Sequence, residues 1–149
     1  VAYLTANNII FKDAWLTMVA PAVGIRSAPR PIGKVVMQKE DVLECRKVTD
    51  SVARGAWPIE FWVPGQHVNI TYFALDDYYD IPGKALHSAE VQNLFFAGQS
   101  LSASEDVIAS ARVIGTCLAT GYAAGRLAAG TVKNERYETA VEAVQQLLF

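Results

Sequence analysis

Two arginines beside a proline turn are the first residues in this chain whose types and spacing could do chemistry. Arg26 and Arg30 flank Pro29 at the stretch SAPRPIG, which has the composition of a turn. Guanidinium groups placed this way can hold a substrate carboxylate through paired hydrogen bonds. Surface or ion-paired arginines are about as common, so Arg26 and Arg30 are candidate substrate-binding residues and the structural alternative stays open.

A loop followed by a helix gives a second candidate site. The apolar run 91–97 predicts a buried strand that stops at Gly98, and the small-residue segment 113–130 predicts a helix. The start of a helix presents unpaired amide groups and a positive dipole end, which suits an anionic or electron-rich ligand. Ligands also sit at the carboxyl ends of strands in α/β sheets. Many purely structural units share this pattern, so the residues alone leave the ligand role open.

The remaining polar residues predict neither a metal site nor a nucleophilic triad. His67 and His87 lack metal-ligand spacing with a cysteine or with each other. Cys45 and Cys117 are too few for a disulfide scaffold. No Ser-His-Asp or Cys-His arrangement is placed by a motif, and the catalytic residues therefore stay unassigned.

The composition limits the class of protein. With 52% hydrophobic and 19% charged residues, the chain is too apolar and too weakly charged to be disordered. A net charge of -2, a pI near 5.6 and the lack of a basic run give no footprint for nucleic acid. A chain of 149 residues can bury a core, and one domain is the default expectation.

The small-residue segment 113–130 raises the question of a membrane span. It holds one charge, Arg126, and Gly121 and Gly125 have the spacing of a helix-dimer motif. Its apolarity comes mostly from Ala, Gly and Thr, and Arg126 would lie inside the span, so we expect no membrane partner. Instead, Gly121, Gly125 and Ala128 are predicted to line a face that packs closely on a sheet. No signal-peptide pattern is present, and the cytoplasm is the expected location.

The elements that must position these sites mix helices and strands, which predicts an α/β fold of mixed α+β character. A helix is predicted over 8–20, ending before Pro21, and an amphipathic C-terminal helix should carry Val141, Val144 and Leu148 on one face. The shorter predicted elements are a turn over 27–33, a strand over 34–37, a helix over 39–47 and a strand over 67–75.

Two blocks near the C-terminus resemble the flavin-contacting segment of a family of FAD-dependent oxidoreductases. They are 93–105 (NLFFAGQSLSASE) and 110–125 (SARVIGTCLATGYAAG). The family's usual form is N-L-x-x-A-G-R-x-x-S-A-T-H-E, then S-x-R-V-x-P-T-C-x-x-x-G-x-A-A-G. Shorter pieces match in the same order upstream, at 24–30, 39–43, 50–59 and 79–82. The resemblance therefore extends from Val23 to Gly130.

The resemblance implies a larger enzyme with FAD as its cofactor. Residues 1–90 would belong to a substrate-side or cap region, and residues 91–149 would supply a strand–loop–helix that completes a Rossmann-like FAD-binding domain. The family holds the FAD pyrophosphate with a G-x-G-x-x-G loop, which this sequence lacks. The chain also starts at Val1, so we expect it to be the C-terminal part of a longer oxidoreductase, with the N-terminal FAD-binding portion as its partner.

The resemblance assigns flavin contacts to the loop and to the start of the following helix. Amide groups at Ile114, Gly115 and Thr116 would face the flavin edge that gains negative charge on reduction, where a helix start is favourable. Arg112 would add a positive charge there, or would form a structural ion pair. The implied cofactor-binding residues are Gly98, Gln99, Ser102, Arg112, Ile114, Gly115 and Thr116.

Several positions depart from the family pattern. Gln99 stands where the family has Arg, Gly115 replaces the Pro that opens the helix, and Ser27 replaces a Glu between the two arginines. Glu105–Asp106 replaces a His-Glu pair, and Gly83–Lys84 replaces an aromatic-Arg pair. Family-typical catalysis at these positions is therefore in doubt, whereas the flavin-binding shape is less affected.

Two functions follow as hypotheses. In the first, the chain is part of a flavoenzyme that transfers a hydride from a small-molecule substrate to flavin. In the second, it is a non-catalytic α/β module for binding or assembly. Without the pyrophosphate loop we expect no tight FAD binding by the chain alone. We also expect an exposed apolar patch larger than the roughly 300–600 Å² of a typical monomer, or its burial by self-association.

Overall fold

The computed structural model describes residues 1–22, 29–63 and 65–149, so Arg26 lies outside the described residues. Within these ranges the chain forms five α-helices and four short strands, which confirms the predicted mixed α+β fold. The helices are α1 (Ala2–Asn7), α2 (Lys39–Leu43), α3 (Glu105–Ala111), α4 (Ile114–Val132) and α5 (Tyr137–Leu148). The strands are β1 (Ser51–Gly55), β2 (Ile59–Phe61), β3 (Asn69–Thr71) and β4 (Tyr79–Pro82), and 3₁₀ turns cover Ile9–Phe11, Gly83–Leu86 and Gly98–Ser100.

The four strands form two antiparallel pairs, one nested inside the other along the chain. β1 pairs with β4, and the inner strands β2 and β3 pair with each other. Gly55 lies opposite Tyr79 in the outer pair, and a Cβ at position 55 would collide with the tyrosine ring. Glycine at this position therefore lets the ring of Tyr79 cross the strand and enter the core.

The core lies between the outer strand pair and helices α3, α4 and α5. Its largest fully buried side chains are Tyr79, Met37, Ile59, Ile81, Leu86, Leu101 and Leu127. Tyr79 keeps its hydroxyl satisfied by donating to Ser110 Oγ (2.7 Å), and Ser110 Oγ donates in turn to the carbonyl of Trp57. A buried polar group is costly unless it is paired in this way, so this relay fixes α3 against the strand pair.

The helix predicted over 113–130 is confirmed as α4, but it packs on the core through a different face from the one predicted. Its buried residues are Thr116, Thr120, Ala123, Ala124, Leu127 and Gly130. Gly121 and Gly125 are exposed, and no atom lies within 4 Å of a Cβ built on either, so the prediction that they line the packed face is wrong. Alanine and leucine remove more apolar area from water than glycine does, and the face that carries them packs on β1 and α5.

The run 91–97 does not form the predicted buried strand. Phe95 makes one antiparallel bridge with His87, and the Phe96 N–H donates to the Leu86 carbonyl (2.9 Å). The neighbouring segment Gly83–Leu86 is a 3₁₀ turn, which offers no continuous edge for a ladder of hydrogen bonds. A strand needs a paired neighbour to satisfy its backbone groups, and the apolar run alone does not reveal whether one exists.

The N-terminal segment 1–22 also differs from its prediction. α1 ends at Asn7, and the Asn8 side chain accepts the Ile10 N–H (3.0 Å), a local turn that interrupts the helix predicted over 8–20. Beyond the 3₁₀ turn the segment is irregular. Its large apolar side chains, including Trp15 and Met18, are exposed.

Three of the short predicted elements span fewer residues in the structure than the sequence predicted. The strand predicted over 34–37 is reduced to one isolated bridge at Met37, with another at Gly33 just before it, and the strand predicted over 67–75 is limited to Asn69–Thr71. The helix predicted over 39–47 ends at Leu43, because Cys45 takes a left-handed conformation (φ 49°) that a helix cannot continue through.

Helices α3 and α4 meet at a sharp corner. Among the described residues no single helix is long and apolar enough to cross a membrane; α3 and α4 pass that test only as a pair, and the chain bends by 102° between them. The corner exposes the start of α4 and positions the candidate functional site.

Candidate functional site

A groove runs along the corner between β2, α3 and the start of α4. It consists of two adjacent cavities of about 290 Å³ and 320 Å³, and both are lined by Glu60, Ala109 and Arg112. The larger cavity continues to Trp57 and Ile114, and the other continues to Arg30. The groove therefore joins the proline-turn arginine to the start of α4.

The start of α4, at the edge of this groove, has amide groups without a partner inside the helix. Val113 has an extended backbone and makes no side-chain cap, and the first amide with a partner inside the helix is that of Cys117, which donates to the Val113 carbonyl (2.9 Å). The amides of Ile114, Gly115 and Thr116 lack such a partner, as the first turn of any helix does. No atom lies within 4 Å of a Cβ built on Gly115, so a ligand can approach this backbone closely.

Two arginines predicted for different roles line the same cavity. Arg30, a candidate substrate-binding residue, shares it with Arg112, to which the resemblance gave a flavin contact or a structural ion pair, and with Glu60 and Glu105. The second substrate candidate, Arg26, lies outside the described residues. The described part of the site thus combines two guanidinium groups with two carboxylates, a set that can orient an anionic ligand.

Glu60 is a site residue that sequence reasoning missed. Its carboxylate accepts hydrogen bonds from the indole N–H groups of Trp57 (3.0 Å) and Trp62. These aromatics were visible in the sequence only as a cluster. A carboxylate three residues after one tryptophan and two before the other was the available signal, but its meaning depends on β2 and the residues on either side of it bringing the three side chains together. The two indoles hold the Glu60 carboxylate in place on the groove wall.

The backbone of Trp57 is itself held in place by the core. Its carbonyl accepts from Ser110 Oγ, which accepts from the buried hydroxyl of Tyr79. Burial raises the pKa of Tyr79 to about 12, so this phenol stays neutral and remains a hydrogen-bond donor. The core thereby fixes the position of the groove wall.

The Gly98 turn lies beside the first two turns of α4. Gly98 has a left-handed backbone (φ 59°), and its N–H donates to Thr120 Oγ1 (3.2 Å). A Cβ at this position would come within 3.4 Å of Cys117 Sγ. That distance is ordinary van der Waals contact, so it is the left-handed conformation that favours glycine here. Burial raises the pKa of the Cys117 thiol, which keeps it in the unreactive neutral form.

The other predicted cofactor residues occupy different environments. Gln99 is exposed on the turn. Ser102 is buried, and its Oγ accepts the Gly33 N–H (2.8 Å), so its side chain joins two loops of the core. Thr116 also buries its side chain, which leaves only its backbone for a ligand. Of the seven residues, Arg112 and Ile114 line the groove, and the flavin contacts of all seven stay predictions.

A metal ion has no obvious place in this site. In ranges 1–22, 29–63 and 65–149 the structure brings together no group of three or more His, Cys, Asp and Glu side chains able to hold one. What the groove offers is a set of backbone donors, two guanidinium groups, a fixed carboxylate and an aromatic wall. Such a set can bind and orient an electron-rich planar or anionic ligand.

Comparison with known proteins gives one match. A family model described as FAD dependent oxidoreductase matches residues 2–148. No curated protein matches the chain, and no solved structure matches it. The match spans the groove, the Gly98 turn and the packed core.

Proposed function

Because the chain belongs to the FAD-dependent oxidoreductase family, we propose that it is the C-terminal part of a flavin-dependent oxidoreductase. In this proposal it contributes the Gly98 turn and the start of α4 to the flavin, and part of the groove to the substrate. When bound, FAD would supply the hydride chemistry. The observation that carries the proposal is the open, uncapped start of α4 at the edge of a groove that also holds Arg112.

The residues present fit a flavin at this position. The unpaired amides of Ile114 and Gly115 favour an electron-rich edge, because a helix start carries partial positive charge. Gly115 has open space around it, and Gly98 brings its backbone against α4 without a side chain. Arg112 adds a positive charge on the groove wall. Together these groups bind and orient the ring system, and they give charge stabilisation where reduction needs it.

The substrate side of the proposal rests on the cavity that Arg30 and Arg112 share. Two guanidinium groups favour a small substrate with a carboxylate, which they can hold through paired hydrogen bonds. Glu60, held by its two indole partners, sets the polarity of the opposite wall. We propose a small anionic molecule as the substrate class.

A partner must supply the pyrophosphate cradle. The sequence has no G-x-G-x-x-G loop, so in this proposal an N-terminal FAD-binding portion provides it and packs against the chain. Exposed apolar side chains are available for that contact, among them Ile114 and Leu118 on α4 and Trp15 on the N-terminal segment. The cytoplasm stays the predicted location.

The proposal is tested by purifying the product of the longest reading frame that contains this chain. We expect a yellow protein with flavin absorbance, and a G-x-G-x-x-G loop upstream of the chain. The 149-residue chain alone should bind FAD only weakly in an absorbance or fluorescence titration. A colourless full product with no such loop would contradict the proposal and favour the alternative of a non-catalytic binding or assembly module.

A further inference from the structure

A third cavity lies at the opposite end of α4 from the groove. It has a volume of about 200 Å³ and lies between the last turns of α4, the start of α5 and the loops that carry Lys34 and Lys84. Leu127, in its wall, is 13 residues beyond Ile114, which is about 20 Å along a helix. No residue that lines this cavity lines the groove. It is therefore a separate feature of the fold.

The cavity has an excess of positive charge. Lys34 and Lys84 line it, and within the described ranges neither ammonium group has a carboxylate within 4 Å. Glu135 is also in the wall, but Arg126 holds both of its oxygens (2.6 and 2.9 Å). That pairing lowers the pKa of Glu135 and offsets its charge. Two lysine ammonium groups are thus left without an anion.

The nearby acid Asp50 is also engaged. Its Oδ2 accepts the hydroxyl of Tyr137 (2.9 Å), and the Lys84 backbone N–H donates to the same oxygen (3.4 Å). His87 does not add a third cation, because burial and the nearby charge of Lys34 lower its pKa, against the opposing effect of its Nε2 hydrogen bond to the Gln92 carbonyl (2.7 Å). Among the described residues, the two lysines therefore exceed the one nearby acid without a cationic partner, Asp50, by one positive charge, which suits a ligand with one negative charge.

The floor of the cavity is apolar. Leu127 and Ala140 both lie in its wall, and each is 2% exposed. A cavity of about 150 Å³ with an apolar lining is large enough for benzene, so a volume of about 200 Å³ admits a ring or short chain that carries one further group. A ligand suited to this cavity combines a small apolar body with one negative charge at the lysine rim.

We propose that this cavity binds a small carboxylate with an apolar body about the size of a benzene ring, its carboxylate held by Lys34 and Lys84 and its body resting on Leu127 and Ala140. Benzoate is a suitable probe, and benzamide is its neutral counterpart of nearly equal shape. Calorimetric titration of the 149-residue chain with each should show binding of benzoate and no binding of benzamide.

Substitutions at the rim give the residue-level test. Lys34→Met and Lys84→Met should each weaken benzoate binding by roughly tenfold or more, the range expected when a charged hydrogen bond is lost. Lys34→Arg should retain binding because it keeps the charge. Lys12→Met, which removes an equal charge from the exposed N-terminal segment, should bind benzoate as the unchanged chain does. An unaltered unfolding midpoint in each variant shows that the fold is intact.

The proposal is overturned by no benzoate binding by the unchanged chain, by equal binding of benzoate and benzamide, or by an unchanged benzoate affinity in both methionine variants. Inorganic phosphate is a further arm, and binding as tight as that of benzoate would show that the apolar floor plays no part, which also contradicts the proposed ligand class. None of these titrations involves FAD, so their outcome is independent of the proposed oxidoreductase function.

Discussion

The two faces of α4 differ although the helix is apolar and small-residue-rich all round. One face places Thr120, Ala123 and Leu127 against β1 and α5, and Leu127 is 2% exposed. On the other face Ile114 is 79% exposed and Leu118 is 70% exposed. A helix that is apolar on all sides usually lies inside a larger body. The difference therefore supports the proposal that the open face meets a further part of a flavoenzyme.

The largest expected effect comes from the same truncation on the two faces. Leu127→Ala should lower the free energy of unfolding by about 2–5 kcal/mol, because it leaves a cavity in the core. Leu118→Ala, on the same helix, should change it by no more than about 0.5 kcal/mol. Urea unfolding followed by circular dichroism measures both. Equal losses at the two positions would remove the distinction between the faces.

Alanine substitutions at two glycines should change the stability of the chain in opposite directions. Gly55→Ala should destabilise the chain by roughly 1–3 kcal/mol, since its methyl group would collide with the ring of Tyr79. Gly125→Ala should stabilise it by up to about 1 kcal/mol, because alanine favours helix and the space around the glycine is open. Thermal unfolding of the two variants gives the signs. A destabilised Gly125→Ala variant would mean that this face is already packed.

Removing the hydroxyl of Tyr79 should have an intermediate effect on the stability of the chain, and this effect should depend on pH. Tyr79→Phe should cost about 1 kcal/mol by removing the hydrogen bond to Ser110. Burial raises the pKa of Tyr79 from 10.0 to about 12, so its phenol ionises more readily in the unfolded chain. Its contribution is therefore complete below about pH 10 and is lost as pH rises towards about 12.

Urea midpoints measured across that alkaline range provide the check. The unchanged chain should lose more stability than Tyr79→Phe does, whereas Tyr3→Phe on the exposed helix α1 should behave as the unchanged chain. A parallel decline in the unchanged chain and Tyr79→Phe would contradict the buried, neutral role of this phenol.

The smallest expected effect is at the end of α4, where Arg126 pairs with Glu135. The pair lowers the pKa of Glu135, so the stability it adds is present above the ordinary glutamate pKa of 4.5 and is lost as pH falls below it. Glu135→Gln should therefore be less stable than the unchanged chain at neutral pH, and the two should converge in acid. Urea midpoints at both pH values measure this, with Glu138→Gln as a partly exposed control. A difference that persists in acid would show that the charge of Glu135 is not its source.

Local patterns predicted the parts of the fold that depend on neighbours in sequence. The small-residue run predicted α4, and the spacing of Val141 and Val144 predicted the buried face of α5, although Leu148, predicted on the same face, is exposed. The run 91–97 was predicted as a strand because its composition is apolar, but a strand also requires a partner edge, which sequence periodicity does not report. For the same reason the pattern could not decide which face of α4 packs.

The candidate site was predictable only in part. The resemblance singled out Arg112 and Gly115, and the proline turn singled out Arg30, yet nothing in the spacing indicated that Arg30 and Arg112 line one cavity. The two indole groups that hold the Glu60 carboxylate come from residues close to it in sequence. Their hydrogen bonds nevertheless depend on how β2 orients the side chains. Lys34 and Lys84, fifty residues apart in the chain, line one cavity only because of the fold.

The contact between FAD and the start of α4 is the central claim, and flavin content tests it most directly. Gly115→Leu fills open space, so the fold should tolerate it, but its side chain would block a flavin from the helix start. Glu142→Leu places the same side chain at an exposed position on α5 that does not line the groove. In the purified product of the longest reading frame, Gly115→Leu should lose most of its bound flavin and Glu142→Leu should keep it. Full flavin content in Gly115→Leu would contradict the account.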